Sequence, residues 1–62
     1  AIQELSDSLE KVPDNPIVNY HLGAALFQNG EKAQAKTVLE KALSLDKDFD
    51  GAQDAQRMLS EL

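Results

Sequence analysis

The spacing of apolar residues along the chain predicts four helices, about 1–11, 16–29, 31–45 and 50–61. In the first, apolar residues recur at intervals of three and four, which is the period of one helix face. Pro13 cannot continue that helix. The third stretch carries one broad apolar stripe, and the fourth carries a narrower stripe with a polar opposite side. The three stripes are Ile2, Leu5, Leu9 and Val12; Ala35, Val38, Leu39, Ala42, Leu43 and Leu45; and Ala52, Ala55, Met58, Leu59 and Leu62.

The second predicted helix has clear end signals and apolar residues on two sides. Asn15 is a favoured N-cap, Pro16 a favoured first helical residue, and Gly30 a favoured left-handed C-cap. The apolar residues fall on two nearly opposite faces, which predicts a helix that is sandwiched or has one side open to a partner. One face holds Ile17, Tyr20, Ala24 and Phe27, and the other holds Val18, Leu22, Ala25 and Leu26.

Two pairs of predicted helices resemble each other at a fixed offset. The first and third match at an offset of 34 residues, where Leu5 falls on Leu39 and Leu9 on Leu43. The second and fourth match at an offset of 35 residues. A period near 34 residues built from helix pairs is the sequence signature of a helical solenoid.

The segment from residue 16 to about residue 49 resembles a tetratricopeptide repeat (TPR). The family pattern is W-x2-L-G-x2-Y, then A-x3-F, then P. It falls here on Asn19, Leu22, Gly23, Leu26, Ala35, Leu39 and Lys47. The Leu-Gly pair and the alanine match, and two leucines stand in for aromatic residues. Asn19 replaces the tryptophan and Lys47 replaces the proline.

This resemblance implies an all-α, antiparallel helix-turn-helix solenoid fragment in one domain, 1–62. Residues 1–14 would be the second helix of an upstream repeat, 15–48 a complete repeat, and 49–62 a C-terminal capping helix at the end of a bacterial-type TPR array. The first helix of each TPR lines the concave surface, so the resemblance also implies a peptide-binding groove. Its residues would be Ile17, Tyr20, His21, Ala24, Phe27 and Gln28.

The turn from Asp46 to Gly51 opens like a calcium-binding loop, D-x-D-x-D-G. The twelfth position of such a loop requires a bidentate glutamate, and here it is Arg57. The simpler interpretation is that Asp48 or Asp50 caps the last helix. A weak calcium site at 46–57 remains an alternative. Its ligands would be Asp46, Asp48, Asp50 and Asp54.

Composition narrows the function classes. The net charge of −5 argues against nucleic acid and anionic membranes as partners, and no apolar run is long enough for membrane insertion. The chain has no cysteine and only one histidine, and it contains no catalytic or phosphate-binding motif, so neither an enzyme nor a cofactor is expected. Ile17 and the neighbouring positions of the implied groove include no lysine or arginine that could hold the carboxylate of a peptide.

The predicted function is therefore a non-catalytic interaction module that binds an apolar peptide or an amphipathic helix of a protein partner. A structural solenoid cap or a self-association segment, forming a homodimer of the isolated chain, is the competing interpretation. The sequence does not identify the partner, and it does not distinguish the bacterial cytoplasm from the periplasm.

Overall fold

The computed structural model describes Ile2, Asp7, Lys11 and residues 13–62. Within these residues the chain forms three α-helices and no strand. They are α1 (Pro16–Gln28), α2 (Lys32–Leu45) and α3 (Ala52–Ser60). The predicted all-α class is confirmed. Most of the first predicted helix, 1–11, lies outside the described residues, and the three described positions within it are helical.

Both ends of α1 form as the sequence predicts. The Asn15 side-chain oxygen accepts hydrogen bonds from the backbone amides of Ile17 (2.9 Å) and Val18 (3.1 Å), which satisfies two amides that the first turn leaves without helical partners. At the other end, Glu31 N donates to Leu26 O (3.0 Å) and Gly30 N donates to Phe27 O (3.2 Å). This pair of bonds is a Schellman motif, and it requires the positive φ (85°) that Gly30 adopts.

The last helix begins later than predicted, and its N-cap is a different residue. Gly51 occupies the N-cap position with φ 107°, and no side chain caps the helix. The expectation that Asp48 or Asp50 is the cap was wrong. The Asp48 backbone amide instead donates to the Asp46 side chain (2.9 Å), and the left-handed Gly51 stands between Asp50 and the helix.

Helix α1 packs on both of its apolar faces, as the two-sided pattern predicts. Its Leu22 and Leu26 are buried together with Ala35 of α2. On the other side, Tyr20 and Ala24 pack against a second buried cluster that joins α2, the following turn and α3. The buried members of that cluster are Leu39, Ala42, Phe49, Ala52, Ala55 and Met58. The short connection between α1 and α2 makes them antiparallel neighbours.

One buried polar residue holds the turn that precedes α1. Asn19 is fully buried, and its side-chain nitrogen donates to the backbone oxygens of Pro13 (3.1 Å) and Asn15 (2.9 Å). Both amide hydrogens are thereby used, while the side-chain oxygen is buried without a hydrogen-bond partner. Asn19 stands where the family pattern has tryptophan, so a hydrogen-bonded clamp replaces a large apolar contact at this position.

Helices α1 and α2 approach each other closely where Gly23 faces Leu39. A Cβ atom added to Gly23 would lie 2.6 Å from both Cγ and Cδ2 of Leu39. The Leu39 side chain is fully buried, so it has little room to move aside. The absence of a side chain at position 23 therefore determines how closely the two helices approach.

We expect Gly23→Ala to destabilise the fold. Overpacking against Leu39 should cost about 1–3 kcal/mol, more than the roughly 0.5–1 kcal/mol that alanine contributes through helix propensity. Urea denaturation followed by circular dichroism measures the change. As a control, Gly23→Ala is also made in a Leu39→Ala variant, which lacks the side chain that the new methyl group would overlap. Trimethylamine N-oxide keeps this variant folded, and in it Gly23→Ala should be neutral or stabilising. A stabilising Gly23→Ala in the wild-type background would show that the contact is not tight.

Candidate functional site

The six predicted groove residues divide into an exposed group and a half-buried group. Ile17, His21 and Gln28 are exposed and lie on one face of α1, at spacings that align residues along a helix. We call these three residues the exposed strip. Tyr20, Ala24 and Phe27 are half-buried and pack against the cluster that includes α3.

Tyr20 forms the edge between the exposed strip and α3. Its hydroxyl donates a hydrogen bond to the Asp54 carboxylate (3.3 Å), and its ring centroid lies 5.3 Å from that of His21. On the other side the ring lies 5.7 Å from that of Phe49. A Cβ atom on Gly51 would come within 2.9 Å of the tyrosine ring. Tyr20 thus packs against the turn that leads into α3.

The electrostatic surroundings of this hydroxyl disfavour its ionisation. Partial burial raises the pKa of Tyr20, and the neighbouring Asp54 carboxylate raises it further through its charge and its hydrogen bond. The more distant Asp50 acts in the same direction, whereas Arg57 opposes them. Tyr20 therefore stays protonated, and remains a hydrogen-bond donor, to a higher pH than an ordinary tyrosine.

Asp54 belongs to an open ion-pair network on α3. Its carboxylate lies 3.6 Å from the Arg57 guanidinium, which also lies 3.5 Å from the Glu61 carboxylate. The side chains of Asp54 and Arg57 are 58% and 66% exposed, so water screens their attraction. Exposed pairs of this kind stabilise a fold by about 0–1 kcal/mol.

Charge is distributed unevenly around the exposed strip. Helix α1 contains no Asp, Glu, Lys or Arg. Helix α2 carries three lysines and one glutamate, all exposed. The segment 46–62 holds five carboxylate side chains against one lysine and one arginine. Since Tyr20 contacts this acidic segment, the exposed strip is bordered by carboxylates on that side.

The calcium alternative is not supported by the geometry. Asp46 accepts a hydrogen bond from the Asp48 backbone, while Asp54 contacts Tyr20 and Arg57. Across the described residues, no three His, Asp or Glu side chains converge into a group that could hold a metal ion.

A concave surface lies on the side of α1 opposite the exposed strip. It is an open apolar cleft of about 500 Å³, in which Leu22 and Leu26 of α1 face Val38 of α2. Ile2 lines the same cleft and packs against the cluster of Leu22, Leu26 and Ala35. In a helical solenoid, neighbouring repeats bury such a face by stacking.

None of the helices in the described part of the chain is long and apolar enough to cross a membrane.

The surroundings of Tyr20 include three residues that the sequence did not associate with a groove. They are Phe49, Gly51 and Asp54, and the last was considered only as a calcium ligand. Asp54 is 34 residues from Tyr20, so no local pattern links them. The offset of 35 residues between the second and fourth predicted helices is the one signal that relates the two regions. It aligns Tyr20 with Ala55, the residue after Asp54.

Comparison with known proteins identifies one family. The family model for tetratricopeptide repeats matches residues 1–62, which is the whole sequence. The match extends to both sides of the single repeat unit that carries the recognisable motif. Comparison with curated proteins and with solved structures gives no match.

Titration of Tyr20 tests the geometry at the edge of the strip. The chain has one tyrosine, so phenolate absorbance reports this residue alone. We expect a midpoint above 10.0 in the native protein and a return to that value in urea, where the shift is lost. Asp54→Asn should lower the native midpoint only partly, since burial is the larger cause of the shift.

The same shift has a consequence for stability. The native state holds the tyrosine proton more tightly than the unfolded state, so the raised pKa adds to the free energy of unfolding. This added stability is complete below pH 10.0 and declines as pH rises through the native pKa. The free energy of unfolding of wild type and of Tyr20→Phe is measured by urea denaturation across this pH range. Lysine titration affects both proteins equally, so the difference between them reports Tyr20 alone. A native midpoint at or below 10.0 would contradict the described environment.

Proposed function

Because the chain belongs to the tetratricopeptide repeat family, we propose that it binds an apolar peptide segment of a partner protein along α1. Repeats of this family are protein–protein interaction modules and generally lack catalytic activity. In the proposed complex, the exposed strip contacts the partner directly. Tyr20, Ala24 and Phe27 form the floor beneath it, because their inner sides are held by the cluster that includes α3.

The observation that carries this proposal is the exposure of Ile17. Two large hydrophobic side chains are exposed among the described residues, Ile17 at 43% and Leu45 at 37%. The more exposed of them lies on the strip, one helical turn from His21 and beside Tyr20. A large apolar side chain on an uncharged helix face gains free energy when a partner removes it from water.

The chemistry of the strip favours apolar ligands over acidic ones. Neither Ile17 nor Gln28 carries charge, and Arg57, the cation that acts on Tyr20, lies beside two carboxylates. A peptide carboxylate would approach the segment 46–62, in which carboxylates outnumber cations by five to two. An apolar side chain, by contrast, would find Ile17 beside the partly exposed surfaces of Tyr20 and Ala24.

A matched pair of variants tests the proposal. Peptides are first selected on the wild-type chain from a random phage-displayed library. Their affinity is then measured by fluorescence anisotropy for wild type, Ile17→Glu and Leu45→Glu. We expect Ile17→Glu to weaken binding by about tenfold or more, as for a hot-spot residue. Leu45→Glu introduces the same charge at the other exposed hydrophobic residue, and it should change affinity by less than about twofold.

Circular dichroism must show that both variants keep the helix content of wild type. An equal effect of the two variants would exclude the strip as the binding surface. If the library yields no binding peptide and sedimentation shows concentration-dependent dimers, the chain acts by self-association, and the groove proposal is wrong.

A further inference from the structure

The border between the exposed strip and α3 combines an aromatic ring, a carboxylate and an apolar side chain. Tyr20 stands one helical turn from Ile17, and its hydroxyl contacts Asp54. The Asp54 side chain is 58% exposed, and the tyrosine ring is partly exposed. An aromatic ring next to a carboxylate attracts a cation in two ways, through the ring quadrupole and through direct charge.

The distribution of charge over the molecule favours the same kind of ligand. The lysines of α2 lie on another helix, whereas the acidic segment 46–62 adjoins Tyr20. Asp50 also acts electrostatically on the Tyr20 hydroxyl. In the segment 46–62 such a cation meets five carboxylates against two cations, Lys47 and Arg57.

The pair between Asp54 and Arg57 does not close this position. Its atoms are 3.6 Å apart, both side chains are mostly exposed, and the guanidinium is shared with Glu61. Such a pair contributes little free energy, so an incoming cation can exchange with it at low cost. Arg57 can then remain on Glu61, which is one turn further along α3.

We infer that the partner segment carries an arginine or lysine beside its apolar side chain, with the cation seated on the exposed Asp54 carboxylate, next to Tyr20. The inference rests on the proposed function of the exposed strip and specifies its ligand. The apolar side chain of the partner covers Ile17, and its basic side chain reaches across the tyrosine ring to the carboxylate. The ligand is thus a basic, apolar peptide rather than an acidic one.

The test uses peptides selected without bias on the wild-type chain. Arginine and lysine should be enriched next to a hydrophobic residue in the selected sequences. Replacing that basic residue by citrulline or norleucine, for arginine and lysine respectively, removes the charge and should weaken binding by about threefold to tenfold. Asp54→Asn should abolish most of this difference, since it keeps a hydrogen-bond acceptor for Tyr20 but loses the charge.

Glu40→Gln is the matched control, because it removes the same charge from the exposed face of α2. The preference for the charged peptide should persist in this variant. A preference lost equally in both variants would reflect the net charge of the chain, and it would overturn the inference.

The remaining outcomes separate the inference from the proposed function. Selected peptides that depend on Ile17 but lack basic residues, or bind equally well after the charge is removed, would overturn the inference and leave the groove intact. Failure of any peptide to depend on Ile17 would overturn both. A dimer lost in both Ile17→Glu and Asp54→Asn would identify a second copy of the chain as the occupant, and would also overturn the inference.

Discussion

The fold of this TPR chain depends on the contact between Gly23 and Leu39. Because position 23 has no side chain, the backbone of α1 packs directly against Leu39 of α2. A Cβ atom at position 23 would lie only 2.6 Å from the leucine side chain. That approach buries Leu22 and Leu26 against Ala35 on one side. It also brings Leu39 into the cluster that receives α3. Two apolar clusters are thereby joined through one helix crossing, and a chain of 62 residues needs both of them to bury enough surface.

Helix α1 has a double role as a result. It supplies side chains to both clusters, so its orientation is held from two sides, while a narrow part of its circumference stays in water. The residues on that remaining part are uncharged, and Ile17 is among them. A helix held in this way loses little conformational entropy on binding, which would favour the proposed complex. The neighbouring segment 46–62 holds five of the eleven acidic residues of the chain, so the side of α1 that adjoins it faces negative charge.

Sequence patterns predicted those features that arise from local chemistry. The Asn15 cap, the proline at the first position of α1 and the left-handed Gly30 each act over a few residues, and all three were predicted correctly. The start of α3 was not, because the choice among Asp48, Asp50 and Gly51 as N-cap depends on a backbone turn that Tyr20 packs against. Likewise, periodicity placed Leu45 in the buried stripe of α2, but the helix ends there and leaves it 37% exposed. The hydrogen bond between Tyr20 and Asp54 requires the tertiary fold and has no local signature.

The side chain of Asn19 has a mechanical consequence. Its two hydrogen bonds to the turn before α1 fasten the joint through which one helix pair connects to the preceding segment. In a solenoid, the small rotation at each such joint is added along the array and sets the curvature of the whole superhelix. A joint fastened by directional hydrogen bonds resists bending more than a joint that relies on a sliding apolar contact. The amide of one buried residue therefore constrains the backbone at such a joint, and the curvature of a longer array would depend on it.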